Sequence, residues 1–458
     1  MIFTQYYLDC LSQASYLIAD ATTGKAVVVD PRRDVAEYLD DARARGLEIV
    51  GVVNTHFHAD FVSGHLELAR ETGAWIGYGE AAVTEFPVRH LADGERISLG
   101  DVTLEVLATP GHTPESISVL VFEQADDEVA YGVLTGDALF IGDVGRPDLL
   151  ASVGVTADEL GRLLYDSVQH KLMGLPDAVR VFPAHGAGSA CGKNLSTERQ
   201  STIGQQRAFN YACQPMSEAE FLAVVTAGQP AAPAYFIYNA TLNKQVRDVR
   251  DVDAAVPALN VAAVQEALSR GARLHDGRDV QEFAAGHLLG SVNVPVDGRM
   301  AETVGMVFAP GEEIVVIAPE GHEQEVATRF ARIGYDHVVG YVADAEAYFL
   351  THPHDVVRAS RLSASEADEA ARRDDVQVID IRNAGELESG GLPNALHVPL
   401  AELSRRSADL DPTRPVLLYC AGGWRSSVGA SLLRSKGFTD VSDLLGGFGA
   451  WDRAHAVA

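Results

Sequence analysis

The sequence predicts a multidomain protein of mixed α/β and α+β class. Three observations carry that prediction. The chain of 458 residues is long enough for roughly three domains of about 150 residues, each with its own core. The first half alternates short β-rich runs with polar loops that hold histidine and aspartate. The second half contains a repeat in which Leu274-His-Asp-Gly-Arg-Asp-Val-Gln-Glu-Phe283 is echoed by Val378-Ile-Asp-Ile-Arg-Asn-Ala-Gly-Glu-Leu387, with Asp276 and Asp380 standing 104 residues apart.

Taken in order, residues 15–30 read as two β runs joined by a Thr-Gly turn, hence a hairpin. A helix is expected from about Val35 to Arg45, then the strand Ile49–Val53, a helical spacing over Gly64–Thr72, and strands at Arg96–Leu99 and Val102–Leu107. The pattern weakens between Gln214 and Leu259, which places a boundary near residue 250. Each repeat copy has a strand (Ile314–Ile317, Val416–Tyr419), a loop, a helix and a Gly-aromatic pair, giving domains at 1–250, 251–357 and 358–458.

Composition narrows the function classes. Apolar residues make up 47% and charged residues 22% of the chain, an ordinary globular balance, and no run reaches the ~20 apolar residues that span a bilayer. The formal net charge of -28 repels nucleic-acid backbones and anionic lipid surfaces. The N-terminal residues lack an export signal, so the expected compartment is the cytoplasm. The four cysteines, Cys10, Cys191, Cys213 and Cys420, have neither disulfide-framework nor CxxC spacing. A homo-oligomer is the expected assembly.

Chemistry enters at the end of the Ile49–Val53 strand, in Asn54-Thr-His-Phe-His-Ala-Asp-Phe61. Three later strand-end loops, Thr109–Ser116, Leu134–Ala138 and Val181–Gly186, present His112, Asp137 and His185 beside glycine or proline. Two imidazoles and a carboxylate from separate loops leave coordination positions open, which suits non-haem Fe(II) or a zinc hydrolase.

Thr55-His-Phe-His-Ala-Asp60, Gly111-His112, Thr135-Gly-Asp137 and Pro183-Ala-His185 resemble the ordered motifs of the metallo-β-lactamase superfamily over about the first 210 residues. That resemblance implies an αββα sandwich with a metal at one edge. Dinuclear hydrolases of the superfamily continue the first motif with a further histidine, whereas this chain has Phe61, which favours one metal over two. With Gly136–Asp148, the pattern resembles the persulfide dioxygenases. The implied ligands of one Fe(II) per chain are His56, His112 and Asp137, with His58, Asp60 and His185 as hydrogen-bonding neighbours. The implied substrates are a low-molecular-weight thiol persulfide and O2, and the product is sulfite. Arg146 is a candidate for a substrate carboxylate or, equally, for a loop contact with Asp148. Cys191 is a candidate persulfide relay.

Cys420-Ala-Gly-Gly-Trp-Arg425 follows an apolar strand and precedes an expected helix, Ser426–Lys436. A Gly-rich loop opening a helix turns N–H groups inward and favours a thiolate, whose pKa such sites lower from about 8.5 toward roughly 3.5–7.5. The domain resembles rhodanese, with Cys420 as sulfur carrier and Arg425 closing the loop. Asp380, Arg382 and Glu386 form an Asp-x-Arg-x-x-x-Glu element whose expected role is structural. The middle copy has Ile317-Ala-Pro-Glu-Gly-His-Glu323 and no cysteine, so it resembles an inactive rhodanese domain.

The fusion implies a sulfide-detoxifying enzyme that makes sulfite in its first domain and passes sulfur to it from Cys420, giving thiosulfate. Two rivals stand beside this reading. One is a dinuclear zinc thioester hydrolase of the glyoxalase II kind; the other is a non-catalytic sulfur carrier or sensor.

Overall fold

The computed structural model describes residues 1–149, 154–249, 251 and 254–456. The chain forms two compact units, one of Met1–Gln229 with Phe236–Val252, the other of Pro230–Tyr235 with Asp253–Ala458. The boundary expected at residue 250 lies outside the described residues. Among the described residues, no helix is long and apolar enough to cross a membrane.

The first unit is built on two six-stranded sheets. One runs in the order Ile2–Leu8, Gln13–Ala19, Lys25–Val29, Glu48–Val53, Trp75–Gly79, Arg89–Leu91. The other runs Ser201–Thr202, Arg180–Pro183, Gly132–Gly136, Ile117–Phe122, Thr103–Ala108, Arg96–Ser98. Side chains alternate across a strand, and the strands use both faces. Tyr16, Ile18, Val27, Val29 and Val53 point to the middle, where they pack with Leu104, Val106, Val119 and Phe182 of the second sheet. Leu17, Ala19, Ala26, Val28 and Val52 point outward onto Tyr38, Ala42 and Leu68 of two helices. The far face of the second sheet is closed by Leu160, Leu164, Val168 and Phe221. Helix, sheet, sheet and helix layers result, the αββα sandwich that the motifs implied. Burying each such Val, Leu or Phe contributes roughly 1.5–3 kcal/mol.

The hairpin and the Ile49–Val53 strand occur where the sequence placed them. The stretch after Gln214 does not stay irregular. Ser217 and Glu220 form a capping box that starts a helix at Glu218–Thr226, and a second helix spans Tyr235–Leu242. Beyond it, Asn243 donates to the carbonyls of His58 and Phe61, both at 2.8 Å, and accepts from Ser63 N–H at 2.9 Å. The weakly patterned segment therefore ties down the histidine run.

The second unit holds the two repeats. Each is a five-stranded sheet with parallel pairing throughout and the same strand order. The first is Ala258–Leu259, Val338–Val342, Ile314–Ile317, Arg273–Asp276, Val292–Asn293. The second is Ser360–Leu362, Val441–Leu444, Val416–Tyr419, Gln377–Asp380, Leu396–His397. Arg382 binds Asp380 at 2.6 Å and the carbonyl of Glu386 at 3.2 Å, and Arg278 binds Asp276 at 2.6 Å. The shared Asp-x-Arg pair is a clamp on the strand-to-helix turn, fully buried at Asp380–Arg382 and partly buried at Asp276–Arg278.

His275 and His287 sit inside the middle repeat as neutral rings. Nε2–H of His275 donates to Val294 O at 2.9 Å, and Nδ1–H of His287 donates to Phe283 O at 2.8 Å. Burial pushes both imidazoles down to about 4 from 6.5, against the pull of those hydrogen bonds. The unfolded chain therefore takes up more protons than the native one once pH falls below 6.5. Stability present at neutral pH is lost toward pH 4, at about 1.4 kcal/mol per pH unit for each ring. Urea unfolding is expected to show this slope, and His275→Leu to flatten it; an unchanged slope in that variant would assign the acid sensitivity elsewhere.

Candidate functional site

The strand Glu48–Val53 delivers the histidine run to the edge of the sandwich, and Asp30, at the end of the neighbouring strand, fixes its shape. Asp30 accepts Thr55 N–H at 2.7 Å, Thr55 Oγ1–H at 2.9 Å and His58 Nε2–H at 2.9 Å. Glu115 holds the next residue, accepting Phe57 N–H at 2.8 Å and Thr113 Oγ1–H at 2.7 Å. Neither carboxylate was singled out in the sequence: Asp30 lies outside the ligand loops, and Glu115, although in the His112 loop, acts on Phe57, 58 residues away.

Around this frame three donor atoms converge. His112 donates from Nδ1 to Arg146 O at 2.9 Å, which fixes its tautomer and turns Nε2 inward. His56 sets Nδ1 against Thr55 Oγ1 at 3.0 Å. Asp137 spends Oδ1 on His185 Nδ1 at 2.8 Å. What remains is His56 Nε2 and His112 Nε2, lying 3.8 and 3.5 Å from Asp137 Oδ2. His56 Nε2 and Asp137 Oδ2 are buried with no hydrogen-bond partner. An unpartnered buried nitrogen and carboxylate oxygen are costly unless something sits between them. The ligating atoms of His56, His112 and Asp137 lie within 4.8 Å of one another, the geometry a metal ion fits.

Electrostatics agree with that fit. Burial, reinforced by His58, holds His56 well below its ordinary value, so its Nε2 lone pair is available. Burial opposes ionisation of Asp137, yet His185 and His56 keep its carboxyl below the usual carboxylate range.

A second group, Asp60, His185 and Cys191, also brings its ligand atoms within 4.8 Å. Its chemistry differs. His185 has both ring nitrogens engaged, Nδ1 by Asp137 and Nε2 by Asp60, each at 2.8 Å. Burial disfavours its cation, but Asp137 and Asp60 hold it well above its usual value. Burial, then Asp137 and Asp60, likewise push the Cys191 thiol well up. With both nitrogens engaged by carboxylates, His185 has no ring lone pair free for a metal in this arrangement. Phe61, fully buried, packs its ring 4.3 Å from that of His58.

Arg146 is 3% exposed, and Asp148 fills its fork with contacts of 2.7 and 2.8 Å. The loop contact weighed from the sequence is present. The contribution of this residue to the cluster comes through its backbone carbonyl, which orients His112. The adjoining Gly145 is irreplaceable on steric grounds: a Cβ there would stand 2.0 Å from Asp137 O and 3.1 Å from His112 Nδ1. Gly145→Ala is expected to cost about 1–3 kcal/mol and to lower the metal content of the purified protein. Calorimetry and metal analysis check this; full metal loading at wild-type stability would contradict the packing.

In the last repeat, Gly423 takes a left-handed conformation (φ 89°) and starts the helix at Trp424, so the helix spans Trp424–Ser435. It begins two residues before the expected start and takes in Arg425. Gly423 N–H donates to Cys420 Sγ at 3.1 Å. Arg425 gives its two terminal nitrogens to Glu386 at 2.6 and 2.7 Å. A cavity of about 620 Å³ opens over Cys420, and its wall includes Asp297, Arg299 and Thr303 of the middle repeat. The helix after the loop packs against that repeat, with Ser431 Oγ accepting Asn293 N–H at 2.9 Å. The middle repeat has His322 in its own loop, half-exposed and paired with Glu325 at 2.9 Å.

Both parts of the chain match known families. The metallo-beta-lactamase superfamily model matches residues 8–185, and the rhodanese-like domain model matches residues 260–346 and 363–454. "Persulfide dioxygenase ETHE1, mitochondrial" of Bos taurus is 33% identical over 177 residues, which cover 37% of this chain and 63% of that protein. The chain thus spans less than two thirds of that relative. A hydroxyacylglutathione hydrolase of Synechococcus sp. is 32% identical over 191 residues, 39% of this chain and 67% of that protein. The crystal structure of a metallo-beta-lactamase from Staphylococcus aureus is 33% identical, with a TM-score of 0.67, covering 74% of this chain and 98% of that one.

Proposed function

Because this chain belongs to the metallo-β-lactamase superfamily and carries two rhodanese-like domains, we propose that it is a persulfide dioxygenase coupled to a sulfurtransferase. The supporting observation is the asymmetry of the two buried clusters. His56, His112 and Asp137 present free ligand atoms, whereas His185 has both nitrogens committed. This asymmetry supports a single metal, and Fe(II) suits a site of two imidazoles and a carboxylate with open positions. Such an ion supplies the redox chemistry with O2 that side chains lack.

The side chains do the rest. Asp30 and Glu115 hold the histidine run rigid, and the Arg146 carbonyl keeps His112 in the tautomer that faces inward. His185 bridges Asp60 and Asp137 through its two ring nitrogens and so fixes the Asp137 carboxylate. The reaction is R-S-SH + O2 + H2O → R-SH + sulfite + 2 H⁺, in which the outer sulfur loses four electrons and O2 gains them. The Cys420 thiol then takes the outer sulfur of a second persulfide, releasing R-SH, and sulfite attacks that sulfur to give thiosulfate and restore the thiol. The four free cysteines suit a reducing compartment, here the cytoplasm.

The test is metal analysis of the purified protein together with O2 uptake on glutathione persulfide. About one iron per chain and persulfide-dependent uptake are expected. About two zinc per chain with thioester hydrolysis and no uptake would overturn the proposal in favour of a hydrolase.

A further inference from the structure

The inactive repeat has no sulfur chemistry of its own, yet it walls the cavity over Cys420. We propose that Asp297 and Arg299 of this repeat recognise the zwitterionic amino-acid end of the organic thiol whose persulfide delivers sulfur to Cys420. The inference rests on the reading of Cys420 as the sulfur acceptor and names the class of carrier.

Size is the first argument. At about 620 Å³ the cavity falls in the range of sites for organic ligands, roughly 300–1,000 Å³. Sulfite or thiosulfate, a handful of atoms, would leave most of it empty. Ile381, Leu400 and Met306 line it as well and offer apolar surface to a carbon chain.

Charge is the second. Arg425 is paired with Glu386, and Arg299 with Glu302. Asp297 is exposed and has no ion-pair partner among the described residues. Arg299 lines the same wall with its side chain 36% exposed, and it gives one terminal nitrogen to Glu302. The middle repeat thus offers the cavity one open carboxylate and one partly exposed guanidinium, two residues apart on a single loop. An ammonium group answers the first and a carboxylate the second, in charge-assisted hydrogen bonds. The wall's three acids, Asp297, Glu302 and Glu386, outnumber its two arginines, which disfavours a carrier bearing several phosphates.

The experiment reads this cavity alone, through the rate at which iodoacetamide alkylates Cys420 in the full-length chain, followed by peptide mass spectrometry. S-methylglutathione, an unreactive zwitterionic probe, is expected to protect Cys420. Its N-acetyl derivative, which lacks the ammonium, should need about tenfold more for half-protection. In Asp297→Asn the two probes should differ by less than about twofold, and in Arg299→Gln both should protect about tenfold more weakly. Equal protection by both probes in the wild type, no protection by either, or an unchanged ratio in Asp297→Asn would each overturn the proposal. Failure of the underlying reading looks different: Cys420→Ser would then still transfer sulfur from glutathione persulfide, whatever the probes do.

Discussion

Asp137→Asn is expected to abolish persulfide-dependent O2 uptake. The loss should exceed the roughly 10- to 100-fold that removal of an outer partner of a metal ligand costs. The substitution keeps the shape of the side chain but removes the carboxylate charge that faces His56 Nε2 and His112 Nε2 at 3.8 and 3.5 Å. It also weakens the 2.8 Å hydrogen bond from His185 Nδ1. The amide has one oxygen for the two jobs that Oδ1 and Oδ2 now share, and its NH2 would point a donor at whichever group is left. Iron content should fall with uptake, while sulfur transfer at Cys420, in the other unit, should persist. His185→Gln makes the comparison sharper: it removes an orienting partner and should lose activity only in the outer-partner range. Uptake within tenfold of wild type in Asp137→Asn would remove this aspartate from the reaction.

The difference between those two substitutions marks where the sequence was legible. His56, His112, Asp137 and His185 could be picked out because each follows an apolar strand, and the last three sit beside glycine or proline, a local pattern. Their separate duties could not be read from composition or spacing. That His185 has both nitrogens committed depends on Asp60 and Asp137, which lie 125 and 48 residues away. Asp30, Glu115 and Asn243 shape the histidine run entirely through contacts distant in sequence, so no local signal marks them. The helix Tyr235–Leu242, Tyr-Phe-Ile-Tyr-Asn-Ala-Thr-Leu, went unread for another reason: apolar residues on nearly every side leave no 3.6-residue period to detect.

In the second unit the repeat, its strands and the missing cysteine were all visible, because a repeated strand-loop-helix pattern survives the loss of its chemistry. The wall over Cys420 was not. It exists because the helix Trp424–Ser435 packs on the edge strand Val292–Asn293, with Asn293 N–H donating to Ser431 Oγ. That pairing of repeats is a tertiary event.

Cys420→Ser is expected to change the product from thiosulfate to sulfite while O2 uptake continues. In the coupled reaction one persulfide is oxidised and a second gives its outer sulfur to Cys420, so two persulfides disappear for each O2. A serine oxygen at this position cannot hold sulfane sulfur, and the second persulfide is then spared until it is oxidised in turn. Consumption should shift to one persulfide per O2, with sulfite accumulating in equal amount. The ratio reports more than loss of an activity, since a misfolded or inhibited variant slows both processes without altering it. Gly423 N–H, now 3.1 Å from Cys420 Sγ, can still donate to the serine oxygen, so the loop has reason to keep its form. If thiosulfate is formed at an unchanged ratio, sulfite is acquiring its sulfur directly from free persulfide and the two sites work independently. If the ratio changes in Cys420→Ser but is also changed by dilution of the wild type, the sites are coupled only through sulfite in solution. A ratio that holds on dilution means that having both sites on one chain raises the effective concentration of sulfite at Cys420.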